Sequence, residues 1–457
     1  MMRPCKTVAI LLTVCLASVA VATPLDDYVA WPDPSYGYSL VRTIDHPQGK
    51  IYVLDMTSQQ WRSEQEVNRT VWQHWLTVAV PNDVAFDTAL LWITGGSNDR
   101  PAPMQPDAML ADIALRSRSV VAELRMVPNQ PLVFPDDPTN QRYEDAIIAY
   151  TFDRFLKTED PTWPLLLPMV KSAVRAMDTV QDYLVGATDG RVTIKSFVVS
   201  GGSKRGWTTW LTAAVDPRVC AIAPIVIDVL NMNDQMRHHF AAYGFYSPAI
   251  GDYEQMKIFD RLDTGGGTEI RNFIDPYEYR DRYTMPKFII NSSGDQFFLP
   301  DSAQFYYADL PENKHLLYCA NTDHGLDGSD AEKALLVWYQ SILTGRDRPQ
   351  FSWDMPESGH VVVTARTRPQ EVMLWTATNP QARDFRLEKI GKAWQSHTLT
   401  ETSAGTYDVH VPAPEQGWTA YFVELHFDSG TPVPYRFSTE IRVVPDILPY
   451  AEELTGN

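Results

Sequence analysis

Short apolar runs alternate with amphipathic stretches over the first three quarters of the chain. Leu90-Leu91-Trp92-Ile93 leads into Thr94-Gly95-Gly96, and Ser119-Val120-Val121-Ala122-Glu123-Leu124 follows. Glu144 to Leu156 and Met169 to Leu184 carry apolar residues three and four apart, the period of a helix with one buried face. Val192 to Val199, Ala221 to Ile227, Lys287 to Ile290 and His315 to Tyr318 are again short and apolar. Buried strands separated by helices predict a mostly parallel sheet covered on both faces. Lys50 to Thr57 and Trp72 to Val80 have no helical stretch between them and predict an antiparallel meander.

Residues 229–285 break this rhythm. They are rich in Tyr, Phe, Met and Asp, contain Gly265-Gly266-Gly267 and show no strand pattern. The expectation is an insertion between two sheet strands, lying over the sheet edge as a lid. Beyond residue 346 the period falls to two, in His360 to Ala365, Glu371 to Ala377, Tyr407 to Val411, Thr419 to Phe427 and Tyr435 to Val444. Turn residues at regular spacing between these runs predict a small antiparallel β-sandwich. The expected organisation is an α/β domain over residues 23–345, with its lid at 229–285, followed by a β-sandwich-like domain over 346–457.

Residues 1–22 predict a cleavable secretory signal. Arg3 and Lys6 supply the positive start, Val8 to Val19 the apolar stretch and Ala20-Val21-Ala22 a small-residue cleavage site. That stretch is too short to cross ~30 Å of hydrocarbon as a helix, so the mature protein is expected to be secreted or periplasmic, without stable membrane insertion. The full chain's 57 acidic and 39 basic residues give a net charge of -18, which repels phosphate backbones and anionic lipid; nucleic acid is excluded as a partner. Cys5 and Cys15 leave with the signal. Cys220 opens one predicted strand and Cys319 closes another, placing them at opposite ends of the sheet, too far apart for a disulfide, so two buried free thiols are expected.

The sharpest chemical signal is Ser200-Gly201-Gly202-Ser203-Lys204-Arg205-Gly206, between the strand Ile194 to Val199 and the apolar helical run Trp207 to Val215. A serine on a tight strand-to-helix turn projects its hydroxyl from the sheet, and glycines tolerate the strained backbone around it. The glycine falls three residues after Ser203 instead of two, and this spacing resembles the elbow of glucuronoyl esterases. Alpha/beta-hydrolases carry their triad in the order serine, acid, histidine. Asp295 follows the strand Phe288-Ile289-Ile290, and His324 follows Leu316 to Cys319. Ser203, Asp295 and His324 therefore stand in the right order, each after a predicted strand. The Lys204 backbone amide and one from Gly95-Gly96 are the expected oxyanion donors. The Lys204 and Arg205 side chains either add positive charge for an anionic substrate or solvate the helix start. Asp228, which ends the strand before the lid, is a competing acid. His238-His239, inside the lid, is expected to pack. There is no H-E-x-x-H, no paired C-x-x-C and no glycine-rich phosphate loop, so no metal, nucleotide or other cofactor is implied.

Arg142-Tyr143-Glu144-Asp145-Ala146, Trp163 to Lys171, Ser200 to Trp207, Asp275-Pro276-Tyr277 and Gly417 to Glu424 together resemble the PhoPQ-activated pathogenicity-related protein family, related to autocrine proliferation repressor proteins. The resemblance covers nearly the whole mature chain. It implies an alpha/beta-hydrolase core with an appended β-domain, secretion, and a link to virulence or host contact, but no substrate. The leading expectation is a secreted serine hydrolase acting on a small-molecule ester or a peptide through an acyl-enzyme. One alternative is a dipeptidyl- or aminopeptidase-like enzyme with Glu144 and Asp145 as the amine anchor. Another is a non-catalytic binding or signalling protein that meets a host or cell-surface partner through its C-terminal domain.

Overall fold

The protein is described here by a computed structural model covering residues 22–455; residues 1–21, which carry the predicted signal, lie outside the described residues. Nine strands form the main sheet: β1 (Gly37–His46), β2 (Gly49–Gln60), β3 (Val71–Pro81), β4 (Thr88–Ile93), β5 (Val121–Leu124), β6 (Ser196–Gly202), β7 (Val219–Ile225), β8 (Lys287–Ser292) and β9 (Lys314–Cys319). Their spatial order is β1-β2-β3-β5-β4-β6-β7-β8-β9. The first pairings are antiparallel, and every pairing from β5 to β9 is parallel.

Alternate residues of the parallel strands feed two cores, which is why these strands read as continuous apolar runs. Leu91, Val199, Ile222, Ile289 and Leu316 join the core beneath the helices Leu166–Ala187 and Lys204–Val215. Leu90, Val198, Ala221, Phe288 and Leu317 join the other, with the helices Ala108–Ser117 and Ala331–Thr344. The edge strand β1 was not expected from the sequence, because most of it is exposed and no buried period marks it. Cys220 and Cys319 are both free, as expected, although Cys220 is only half-buried.

The insertion between β7 and β8 is helical, with Met232–Tyr243, Gly251–Gln255 and Gly265–Ile274 as its main pieces. Thr264 caps the last of these by accepting the Gly267 amide at 3.1 Å. A Cβ at Gly267 would sit 2.0 Å from the Arg261 carbonyl, so the glycine lets the helix start directly against the preceding turn. Among the described residues no helix is long and apolar enough to cross a membrane.

The C-terminal region forms two antiparallel sheets, one from Phe351–Asp354, His360–Ala365 and Thr406–His410, the other built around Glu371–Asn379 and Trp418–Phe427. The run Tyr435 to Val444 is two strands, Tyr435–Ser438 and Arg442–Val444. It breaks because the Thr439 hydroxyl replaces a ladder carbonyl, accepting the Val423 amide at 3.0 Å. Trp418–Phe427 is buried on both faces: Tyr421, Val423 and Leu425 join the core that Val361 and Val363 of the smaller sheet share with Phe288 and Leu317, while Ala420 and Phe422 join the core of Ile289 and Leu316. The larger sheet thus packs against both the smaller one and the α/β body. Tyr318 of β9 donates its amide to Ser438 Oγ at 3.0 Å across this seam.

Candidate active site

Ser203 follows β6 directly and caps the helix Lys204–Val215 with φ 57° and ψ -129°, a backbone conformation that costs a non-glycine residue about 1–3 kcal/mol. Two hydrogen bonds hold it there: its amide donates to Ile225 O of β7 at 2.8 Å, and its carbonyl accepts the Trp207 amide at 3.0 Å. The glycine spacing follows from close packing. A Cβ at Gly201 would lie 2.9 Å from both Ile93 O and Arg205 O, and one at Gly206 would lie 2.7 Å from Ile227 Cγ2 and 2.9 Å from Gly201 O. The glycine three residues after the serine is therefore required where the helix meets the strand it left.

The structure brings Asp295 and His324 together. The imidazole Nδ1 lies 2.8 and 3.0 Å from the two carboxylate oxygens. Asp295 is held in turn by the Phe297 amide at 2.7 Å, and the His324 amide donates to Gln296 Oε1 at 3.1 Å. With Nδ1 on the carboxylate, the other nitrogen faces away, and Nε2 is buried without a hydrogen-bond partner. Ser203 makes no hydrogen bond to it; the two meet through Phe297, whose ring lies 4.2 Å from the imidazole and lines the pocket that contains Ser203.

Asp228 has other partners. The hydroxyls of Tyr306 and Tyr318 donate to its two oxygens, the latter at 2.7 Å. Burial raises its pKa, the tyrosine hydrogen bonds pull it back, and the nearby Asp295 charge adds to the rise, leaving it at about 7. The lid histidines pack, as expected: His238 pairs with the buried Asp301 at 3.0 Å, and His239 accepts the Ser247 amide at 3.0 Å.

Both sequence readings of Lys204 and Arg205 need correction. Neither side chain solvates the helix start, and neither carries a free charge. Arg205 grips Glu144 with two hydrogen bonds of 2.7 Å and donates from Nε to Val127 O at 2.6 Å. Lys204, 6% exposed, reaches Glu144 at 2.8 Å and Asp145 at 2.9 Å. Gln130 and Tyr253 add hydrogen bonds to the two acids. Burial works against ionising Glu144, but the two cations outweigh it and hold the carboxyl at about 2. The same contacts occupy the carboxylates proposed as an amine anchor. A Cβ at Gly95 would lie 2.5 Å from an Arg205 Nη, so its bare backbone seats the guanidinium. Gly96, at φ 141°, lies against Met126. The Lys204 amide, at the first helix position, lacks an intrahelical acceptor by construction, and Lys204 borders the pocket with Ser203.

That pocket is lined mainly by apolar side chains from the helices Glu144–Thr158 and Lys204–Val215, the insertion and the Asp295 loop, including Phe152, Trp207, Met236, Tyr253 and Phe298. About 50 Å³ of it is free. Its polar lining beyond Ser203 is the mutually paired Asp145 and Lys204.

Sequence reasoning missed a brace behind the acid and histidine loops. Leu387 donates its amide to Gly294 O at 3.0 Å, the Asn321 side chain exchanges hydrogen bonds with the Trp394 backbone at 2.9 and 3.0 Å, and the buried Arg383 meets Asp301 at 2.5 Å. All three brace residues lie within 383–394, beyond the expected domain boundary at 345. Nothing local in their sequence marks them.

A nine-stranded, mostly parallel sheet, a serine on a strained strand-to-helix turn, and an aspartate–histidine pair after the last two strands define the alpha/beta-hydrolase fold. The chain belongs to the PhoPQ-activated pathogenicity-related protein family, whose model matches residues 25–386. It is 39% identical over 471 residues to autocrine proliferation repressor protein A of Dictyostelium discoideum, covering 96% of this chain and 94% of that protein. Among solved structures, acetyl xylan esterase 1 from a Thermoanaerobacterium species aligns with a TM-score of 0.47 at 15% identity, covering 70% of this chain and 91% of that one. Glucuronoyl esterase from Solibacter usitatus aligns with a TM-score of 0.40 at 11% identity, covering 71% and 91%.

Proposed function

We propose that the protein is an exported serine hydrolase that cleaves esters of short apolar acyl groups. The observation that carries this reading is the Asp295–His324 pair with its buried, unpartnered Nε2 at the pocket of the strained Ser203. As substrate seats, His324 Nε2 takes the Ser203 proton and Oγ attacks the carbonyl. Asp295 fixes the tautomer that leaves Nε2 free to accept, and it stabilises the imidazolium that forms. The Lys204 amide is the oxyanion donor the elbow offers, with the Gly95-Gly96 segment after the adjoining strand as the expected source of a second. His324 then protonates the leaving group, and water attacks the acyl-enzyme by the same route.

The pocket supports the acyl preference. Its lining is largely apolar and its free volume of about 50 Å³ suits a few carbons, since ~10–15 Å³ of such space holds one water. A peptide amine finds no free carboxylate, because Glu144 and Asp145 are engaged by Arg205 and Lys204. The test is hydrolysis of p-nitrophenyl esters from acetate to octanoate by the mature protein. Acetate to butyrate are expected to turn over, octanoate poorly, and Ser203→Ala and His324→Ala to be inactive. Folded protein that turns over no ester, or a Ser203→Ala variant that retains activity, contradicts the proposal. The Dictyostelium relative is named for growth repression, so the same serine variant also separates a catalytic signal from a scaffold: a scaffold keeps its biological effect.

A further inference from the structure

The turn Glu357 to His360 opens the central strand of the three-stranded sheet. It is closed by a hydrogen bond from the His360 amide to Glu357 O at 3.1 Å. Gly359, at φ 81°, brings the turn against the end of the strand Thr406–His410, where a Cβ would lie 2.4 Å from Val411 O. Across the ladder His360 stands in register with His410. Their imidazoles stack with centroids 3.9 Å apart and planes 19° apart. Asp408, two residues before His410 and on the same face of its strand, has Oδ1 2.9 Å from His360 Nε2 and 3.7 Å from His410 Nε2.

The hydrogen bond to Asp408 places the proton of a neutral His360 on Nε2 and leaves the lone pair on Nδ1. That lone pair looks toward Glu357 Oε1 at 3.9 Å, too far for a hydrogen bond. Two acceptors facing each other repel, and a cation between them turns the repulsion into coordination. One ligand atom from each of Glu357, His360 and His410 lies within 4.8 Å of the other two. Two imidazoles and a carboxylate suit zinc, copper or nickel and not the oxygen-seeking calcium or magnesium. A carboxylate on the far nitrogen is also the partner that orients metal-bound histidines.

We propose that Glu357, His360 and His410 bind one zinc-class divalent cation, with Asp408 orienting the His360 ring and water completing the coordination. The ion ties the 357–360 turn to the strand Thr406–His410. This site is independent of the hydrolase reading, and sequence spacing hides it because the two histidines meet only through the ladder.

The test uses the mature protein stripped with EDTA. Calorimetric titration with Zn²⁺ at neutral pH is expected to show one saturable site, and the EPR spectrum with Cu²⁺ to show two imidazole nitrogens. His410→Ala is expected to weaken Zn²⁺ binding about tenfold or more, and Asp408→Asn about tenfold, the usual range for an outer partner. The His410 side chain is 65% exposed, so this variant keeps the parent melting temperature in EDTA. No saturable Zn²⁺ binding, binding unchanged in His410→Ala, or a copper spectrum without two nitrogens overturns the proposal.

Discussion

Two buried aspartates follow neighbouring strands of the same sheet and have met opposite fates. Asp228, after β7, is 2% exposed, and Asp295, after β8, is 5% exposed. Burial alone does not separate them. Asp228 is stripped of solvent with no cation beside it, so the protonated form gains even against the two tyrosine hydroxyls that donate to its carboxylate, and its pKa rises to about 7. Asp295 is given an imidazole and a backbone amide. In the first setting a carboxyl holds packing together; in the second it can orient a base and stabilise a positive charge beside it. Strand position makes an acid available, and its hydrogen-bond partners decide what it does.

The strongest way to break this comparison is to neutralise each acid by an isosteric amide. Asp295→Asn is expected to lower kcat for a short-chain ester by about 10³–10⁴-fold, the scale for a triad aspartate that fixes the tautomer. Asp228→Asn is expected to leave kcat nearly unchanged. Equal losses in both variants would erase the distinction.

A second difference lies in stability against pH. The folded-state pKa of Asp228 is raised, so its contribution is fully present below the unfolded value of 3.8 and is lost as pH rises through about 7. Asp228→Asn removes that loss. Urea unfolding from pH 4 to pH 8 is expected to show the variant gaining on the parent by up to about 4 kcal/mol across this window, at ~1.4 kcal/mol per unit. Parallel curves would contradict it.

The elbow predicts a smaller effect. Gly206→Ala drives a Cβ against Ile227 and the Gly201 carbonyl and is expected to cost about 1–3 kcal/mol of unfolding free energy by overpacking. Unchanged denaturation would mean that the elbow has slack.

Glu144→Gln leaves Lys204 paired with Asp145 and removes the carboxylate that Arg205 grips. Because the Glu144 side chain is 36% exposed, solvent screens part of the loss, and about 1–2 kcal/mol is expected. The folded pKa of Glu144 is depressed, so its stabilisation is present above the unfolded value of 4.5 and is lost as pH falls through about 2. The gap between parent and variant should therefore be constant above pH 5 and close in acid. A gap that widens in acid would refute this pairing.

Ser203, Asp295 and His324 were legible because each is announced locally, by an apolar run that ends in a turn, and their order is a property of the chain. The parallel strands were legible because burial on both faces makes their central positions a nearly continuous apolar run. What stayed hidden depends on contact across the fold. The sequence shows that Lys204 and Arg205 are positive, but not that the chain at Glu144 returns to neutralise them. Nothing local in Arg383 or Leu387 says that they hold the Asp295 loop from beyond the expected boundary. The exposed β1 has no core face to set a period, and the pairing of His360 with His410 is a fact of register.

The central claim is that His324, oriented by Asp295 and not by Asp228, activates Ser203. Its most direct measurement is the rate of labelling by a fluorophosphonate, with the adduct mapped by mass spectrometry, in the parent, Asp295→Asn and Asp228→Asn proteins. The account predicts a single adduct on Ser203, formed at nearly the parent rate in Asp228→Asn and slowed about a thousandfold or more in Asp295→Asn. An adduct elsewhere, or slowing in Asp228→Asn with Asp295→Asn unaffected, would contradict it.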